Sequence, residues 1–257
     1  MSDHKRPVAI VTGGRRGIGL GIARALAKDG FDIAITGIGD ADQVSGVLED
    51  LATLGAKAIF LKADLSDLSG HQATVDAVLA QFGGIDCLVN NAGIASVVRG
   101  DFLDLAPENF DTIIGTNLRG TVFFTQAVVK AMLAGGGSGP RSVVNITSVS
   151  AAMSSPERLD YCMSKAGLAA FSQGLALRLA DTGISVFEVR PGIIRSDMTA
   201  GVSAKYDALI DGGLVPMKRW GEADDIGRMV AALANGSFGF ATGSVVNADG
   251  GLSIGRL

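Results

Sequence analysis

The sequence predicts one α/β domain spanning residues 1–257, a seven-stranded parallel sheet doubly wound by helices on both faces. Three observations predict it. Short β-branched runs alternate with helix-like stretches along the whole chain, the pattern of strands joined by crossover helices. Several runs are continuously apolar, as parallel strands buried on both faces are. A glycine-rich segment, Thr12-Gly13-Gly14-Arg15-Arg16-Gly17-Ile18-Gly19, follows the first run and opens the first helical stretch. That is where a dinucleotide loop sits in a Rossmann-type sheet.

The first strand candidate, 8–12, reads Val-Ala-Ile-Val-Thr. The helix after it, 18–29, carries Ile18, Ile22 and Leu26 at four-residue intervals, and Gly30 is placed to cap its C-terminal end. Further strands are expected at 33–36, 58–61, 85–90, 142–147, 184–189 and 244–247, and helices at 41–54, 68–81, 107–134, 160–181 and 222–235. Residues 135–140, Gly-Gly-Gly-Ser-Gly-Pro, read as a loop because the alternation resumes after them. Residues 206–217 break the pattern, and a mobile substrate lid is expected around 197–217.

Composition narrows the function. The hydrophobic fraction of 47% and mean hydropathy of +0.36 are high, yet no apolar run approaches the ~18 residues of a membrane span. The surplus is read as a large core plus a subunit interface. The first seven residues carry His4, Lys5 and Arg6 with no apolar run behind them, so no secretory signal is read and a cytoplasmic protein is expected. A net charge of -4 and a pI near 5.2 argue against a nucleic-acid footprint. Cys87 and Cys162 are too few and too badly spaced for a zinc site or disulfide framework, and both are read as reduced thiols, Cys162 as a small packing residue. With only His4 and His71 present, serine-hydrolase triads and most metal hydrolases are set aside, and no metal site is expected.

Two patterns point to chemistry. In the glycine-rich loop the backbone is free to approach a pyrophosphate, and the helix start offers it free N–H groups and a positive dipole. Tyr161 and Lys165 stand four residues apart, thirteen residues and more beyond Ser148, so a phenol and an ammonium project from one helix face. A nearby cation favours phenolate. Moving a tyrosine from its usual pKa to about 7 requires roughly 4 kcal/mol of differential stabilisation, more than Lys165 alone supplies. A second positive charge, such as an oxidised nicotinamide ring, is the expected complement.

The loop spacing Thr-Gly-x-x-x-Gly-x-Gly, followed in order by Asn90-Asn91-Ala92-Gly93, Asn117, Ser148, Tyr161 with Lys165, Pro191-Gly192 and Asp249-Gly250-Gly251, resembles the short-chain dehydrogenase/reductase family over essentially the whole chain. The overall pattern is similar to bacterial 3-oxoacyl carrier-protein reductases. The resemblance implies hydride transfer between a nicotinamide and a carbonyl or secondary alcohol. Tyr161 would be general acid in reduction and base in oxidation. Ser148 would bind the substrate oxygen, Lys165 the nicotinamide ribose, and Asn117 a water linking Lys165 to solvent. The dinucleotide contacts it implies are Gly13, Arg15, Arg16, Gly17, Ile18 and Gly19 of the loop, then Asp64, Asn90, Ala92 and Gly93, then Tyr161 and Lys165, and finally Pro191, Gly192, Ile194 and Ser196. Asp64 is read either as an adenine contact or as a helix N-cap, and at Asn90 it is the backbone that would run beside the cofactor.

NADP(H) is the favoured cofactor and NAD(H) the alternative. NAD-preferring Rossmann proteins place a carboxylate at the end of the second strand. Here that end reads Thr36-Gly37-Ile38, and Asp40 is the first carboxylate. Arg15 or Arg16 would then meet a 2′-phosphate. Against this, Ile38 stands where many NADP users carry Arg, and Asp40 has the alternative of turning inward. Substrate walls are expected at 94–99, 149–153 and 157–158 and in the lid, with Arg99, Arg158 and Arg195 suited to an anionic group. A 3-oxoacyl thioester, a sugar or polyol, or another small alcohol all remain open as substrate, and a non-catalytic NAD(P)-binding regulator is the alternative of a different class. The small and apolar faces of the helices at 107–134 and 160–181 predict a homotetramer, with a dimer second.

Overall fold

A computed structural model describes residues 6–135, 139–201 and 203–256. The amino-terminal stretch through residue 5, the middle of the 135–140 loop and residue 202 of the expected lid lie outside them.

The seven strands are β1 (Val8–Thr12), β2 (Asp32–Gly37), β3 (Ala58–Lys62), β4 (Cys87–Asn90), β5 (Arg141–Ile146), β6 (Ile184–Pro191) and β7 (Val245–Ala248). They form one sheet in the order β3-β2-β1-β4-β5-β6-β7, and every pairing is parallel. β1 pairs with both β2 and β4, so the winding reverses between β1 and β4. Ligands of doubly wound sheets bind in the crevice beyond the strand ends at such a reversal.

Strand side chains alternate between two cores. Ala9 and Val11 of β1 join Ile33, Ile35 and Val89 on one face, whereas Val8 and Ile10 join Ala34, Leu88 and Val143 on the other. Complete burial of an aliphatic side chain such as Ile10 stabilises by roughly 2 kcal/mol over leaving it exposed. The first core is closed by α1 (Gly17–Lys28), α2 (Ser45–Thr53) and α9 (Ala223–Ala234), the second by α3 (His71–Phe82), α5 (Thr121–Ala134) and α6 (Leu159–Leu179). Gly21 and Gly227 let α1 and α9 touch: a Cβ at Gly21 would lie 2.7 Å from the Ala223 backbone. Gly30 has φ +93° just beyond α1, the left-handed geometry expected of it. Both cysteines are buried free thiols, and burial pushes Cys87 up to about 12.

Three expected helices are less uniform than their apolar spacing indicated. The stretch 41–54 divides into a 3-10 turn, Ala41–Val44, and α2, and 68–81 divides into a 3-10 turn, Leu68–Gly70, and α3. The long helix 107–134 divides into α4 (Pro107–Ile114), a π turn at Gly115–Gly120 and α5. Residues 206–217, read as a break, hold most of α8 (Ser203–Asp211), which follows the short α7 (Asp197–Ala200). A third, small cluster of Ile210, Val215 and Trp220 anchors this region, with Tyr206 edge-on to Trp220 at 5.8 Å.

Candidate active site

The nucleotide loop forms because β1 must turn sharply into α1. Gly13 (φ +66°) and Gly17 (φ +53°) take left-handed backbone, and a Cβ on Gly19 would drive into the Gly13 carbonyl. Arg16 occupies the N-cap of α1 without a side-chain cap, which leaves the first N–H groups for an anion. Thr12 locks this loop to the one after β4. Its hydroxyl accepts from the backbone N–H of Asn91 and of Ala92, both at 3.0 Å, while Asn91 Nδ2 donates to the Thr12 carbonyl at 2.9 Å. A Cβ on Gly13 would approach Ala92 Cα at 3.1 Å, so the two loops meet at the switch point.

At the end of β2, Arg15 lies over Gly39 and donates to Gln43 Oε1 at 3.0 Å. Asp40 is drawn away towards β3, where Lys62 donates to it at 2.6 Å and holds its carboxyl below the usual range. Arg16 pairs with Asp197 at 3.0 Å. Asp64 is exposed and accepts from the backbone and hydroxyl of Ser66 at 2.9 and 2.7 Å. Its reading as a helix N-cap is corrected: the following 3-10 turn is capped by Asp67, which accepts from Ser69 N at 3.0 Å.

Asn90 ends β4 with its side chain turned into the second core, donating to Thr125 Oγ1 at 2.7 Å and Asn145 Oδ1 at 2.8 Å. Asn145 in turn donates to Ser172 Oγ at 2.8 Å, so a polar ladder ties α5, β4, β5 and α6. Asn117, completely buried in the π turn, holds the next loop. Its Oδ1 accepts from Ile94 N at 2.8 Å, and its Nδ2 donates to Ile94 O at 2.9 Å and Ser164 Oγ at 3.2 Å. A Cβ on Gly93 would meet Asn117 Oδ1 at 3.1 Å and Lys165 Nζ at 3.6 Å.

Ser148 follows β5, accepts from Ser150 N at 3.1 Å and acts on the Tyr161 phenol to lower its pKa. Tyr161 and Lys165 sit one turn apart at the start of α6. Lys165 donates to the Ile146 carbonyl at 3.1 Å, and its Nζ lies 5.8 Å from the Tyr161 ring centroid. Burial lowers Lys165 to about 8. Burial also raises the Tyr161 phenol, opposed by Ser148 and by the charges of Arg158 and Arg99. Arg158, whose guanidinium lies 5.5 Å from the ring centroid, is a further cation that draws the phenol down. A desolvated ammonium is a weaker partner than the pattern implied, because burial penalises its charged form.

Beyond β6, Gly192 packs on Asp249, 2.7 Å from where its Cβ would be, and donates to Ala248 O at 3.0 Å. Pro191 and Ile194 are buried, and Ile194 bridges to Gly221. Ser196 caps α7 together with Thr199. A Cβ on Gly17 would lie 3.8 Å from that of Ser196, so this segment faces the nucleotide loop. The structure thus brings Gly13 against Ala92, Gly17 near Ser196, and Gly93 near Asn117 and Lys165, whereas the side chains of Asn90 and Asp64 are spent on local bonds. Thr12 and Asn91, which lie inside the quoted motifs, contribute hydrogen bonds that the motif reading did not assign, and Arg158, expected on a substrate wall, also lies over the Tyr161 ring.

A family model described as Enoyl-(Acyl carrier protein) reductase matches residues 13–253. The chain belongs to the short-chain dehydrogenase/reductase family. The 3-oxoacyl-[acyl-carrier-protein] reductase FabG of Staphylococcus epidermidis is 35% identical over 246 residues, covering 95% of this chain and 98% of that protein. Nodulation protein G of Azospirillum brasilense is 35% identical over 246 residues, covering 96% and 98%. Among solved structures, the 3-oxoacyl-[acyl-carrier protein] reductase of Brucella melitensis in complex with NAD is 69% identical, with a TM-score of 0.96 over 98% of this chain and 99% of that one. Short-chain dehydrogenases/reductases are nicotinamide-dependent oxidoreductases of carbonyl and alcohol groups, and this chain is one of them.

Proposed function

We propose that the chain reduces 3-oxoacyl thioesters, with Tyr161 as the proton donor. The observation that carries this reading is the Tyr161–Lys165 pair, one helical turn apart in α6 with Lys165 buried and its Nζ 5.8 Å from the Tyr161 ring centroid. A carbonyl oxygen placed against the hydroxyls of Ser148 and Tyr161 receives a hydrogen bond from the first and a proton from the second. Burial keeps Tyr161 protonated at neutral pH, which suits the reductive direction. The relatives named as 3-oxoacyl reductases support the substrate class. So do the exposed apolar side chains Val97, Val98 and Met153 on the expected substrate walls, which offer an acyl chain a surface.

The uncapped start of α1 and the absence of Cβ atoms at Gly13 and Gly17 fit a pyrophosphate. Gly13, Arg15, Arg16, Gly17, Ile18 and Gly19 hold that end, Asp64 faces the adenine, and the backbone at Asn90, Ala92 and Gly93 runs alongside. Lys165 and Tyr161 reach the nicotinamide ribose, and Pro191, Gly192, Ile194 and Ser196 flank the ring. A nicotinamide bound there supplies or accepts the hydride. Asn117 positions Gly93 and Ile94 and keeps one lone pair of Oδ1 for a water beside Lys165. NADPH is the preferred form, because Arg15 occupies the end of β2 and Lys62 removes Asp40 from it. NADH is the second reading, favoured by the NAD in the Brucella melitensis relative.

No helix of the described residues is long and apolar enough to cross a membrane, and the proposed location is the cytoplasm. Phe123 and Leu133 of α5 and Met163 and Leu177 of α6 are exposed, which supports a homotetramer built on these helices. Residues 197–217 serve as the substrate lid, hinged beside Ser196. The direct test is turnover of a short 3-oxoacyl thioester with NADPH and NADH. Oxidation of either cofactor dependent on the thioester supports the reading, and turnover of polyols alone replaces it with the sugar-type alternative. No turnover of any ketone or alcohol, with tight cofactor binding, turns it into that of a regulator.

A further inference from the structure

Between the loop at 98–105 and the turn at 156–160 lies a cavity of about 180 Å³, linked to Tyr161 through Arg158, which lines it and lies over the Tyr161 ring. Two guanidiniums line it, Arg99 and Arg158. Among the described residues neither forms an ion pair. Arg195, the third arginine of this region, is otherwise engaged: it pairs with Glu222 at 3.3 Å and stacks on Trp220 at 4.9 Å. The cavity wall is not uniformly basic. Asp101 caps its own turn by accepting from Leu103 N at 3.0 Å, and Asp104 and Glu157 are exposed. Asp160 is 1% exposed, its Oδ1 accepts from Ser96 Oγ at 2.6 Å and Tyr161 N at 2.7 Å, and its Oδ2 is buried with no partner.

We propose that this cavity is a substrate subsite for a carboxylate carried near the reacting carbonyl, held by Arg158 and Arg99. Two unpaired guanidinium forks beside a reacting group match a planar carboxylate. The carboxylates on the same wall disfavour a dianion such as a phosphate monoester, because like charges in a partly desolvated site repel. The inference rests on the carbonyl-reductase reading and sharpens its substrate class. The carboxylate belongs either to a short free oxo acid or to the acyl tail of a thioester.

The experiment compares wild type with Arg99→Gln, Arg158→Gln and the double variant. One substrate pair sets a short oxo acid against its methyl ester, and another sets a carboxylate-ended 3-oxoacyl thioester against a methyl-ended one. The readout is the ratio of kcat/KM within each pair, which a general loss at Tyr161 does not move because both members fall together. Wild type is expected to favour the carboxylate in at least one pair by roughly ten- to a hundredfold, the range of a hydrogen-bonded charge. The double variant is expected to bring that ratio near one, mainly through KM, and the responding pair identifies the source. Equal ratios in wild type, or a preference surviving both substitutions, would overturn the subsite while the reductase reading stands. Calorimetry with butyrate on the cofactor-loaded protein gives a readout independent of turnover. Arg-dependent butyrate binding with no turnover of any ketone leaves the subsite standing and removes the reductase reading, and absence of binding in wild type counts against the subsite.

Discussion

The guanidinium carbon of Arg158 lies 5.5 Å from the centroid of the Tyr161 ring, slightly nearer than Lys165 Nζ at 5.8 Å. Because burial raises the phenol and Arg158 lowers it, reduction is expected to hold steady through neutral pH and decline only as the phenol ionises at alkaline pH. Alcohol oxidation, which needs the phenolate, rises over the same range. Removing the cation in Arg158→Gln shifts the oxidation limb to higher pH. Profiles of kcat/KM with pH check this, and an unmoved or lowered limb would contradict it.

Lys165 carries a stability cost that follows from its burial. Its folded pKa of about 8 lies below the ordinary lysine value of 10.5, so between these values the unfolded state binds more protons and stability rises with pH. The cost is present in full below pH 8 and fades between pH 8 and 10.5. Lys165→Met is therefore expected to be inactive yet more stable than wild type at pH 7, by no more than about 3 kcal/mol, less the bond to Ile146. Denaturant melts at pH 7 and 10 test it: the gain should shrink at the higher pH, and a gain that grows would refute the assignment.

Thr12 joins the two loops that border the cleft. Thr12→Val keeps the shape but leaves the N–H groups of Asn91 and Ala92 without their acceptor, a loss of roughly 2 kcal/mol together with weaker cofactor binding. Thr12→Ser keeps the hydroxyl and should stay close to wild type. Denaturant unfolding and cofactor titration provide the measurement.

The cofactor assignment has its own variant. Arg15→Leu is expected to lower kcat/KM for NADPH by about tenfold or more, as loss of a charge-assisted bond does, and to leave NADH nearly unchanged. Equal losses for both cofactors would place Arg15 on the pyrophosphate or in the fold.

The legible parts of this molecule are those whose cause is local in sequence. β1 lies where its apolar run stands, and the loop glycines are visible because left-handed backbone and close approach need them. The π turn was hidden, since one added residue in a helical hydrogen-bond register leaves no mark on apolar spacing. It exists where Gly120 comes against the Leu65 carbonyl, a position with no room for a Cβ. Asp64 and Asp67 both look like caps, and only the path of the chain assigns the cap to Asp67. Arg158 was legible as a substrate-wall cation, whereas its place over the Tyr161 ring depends on how the 156–158 turn meets α6. The Tyr161–Lys165 pairing was readable as geometry, whereas its electrostatics were not, because the burial of Lys165 comes from elements distant in sequence.

The central claim is that Tyr161 exchanges the proton while hydride moves. The most direct measurement is single-turnover reduction by Tyr161→Phe and wild type with saturating cofactor, beside a cofactor titration of both. Loss of a positioned proton donor should slow the chemical step by about 10²- to 10⁴-fold with cofactor affinity nearly unchanged. A variant that turns over within threefold of wild type would contradict the account.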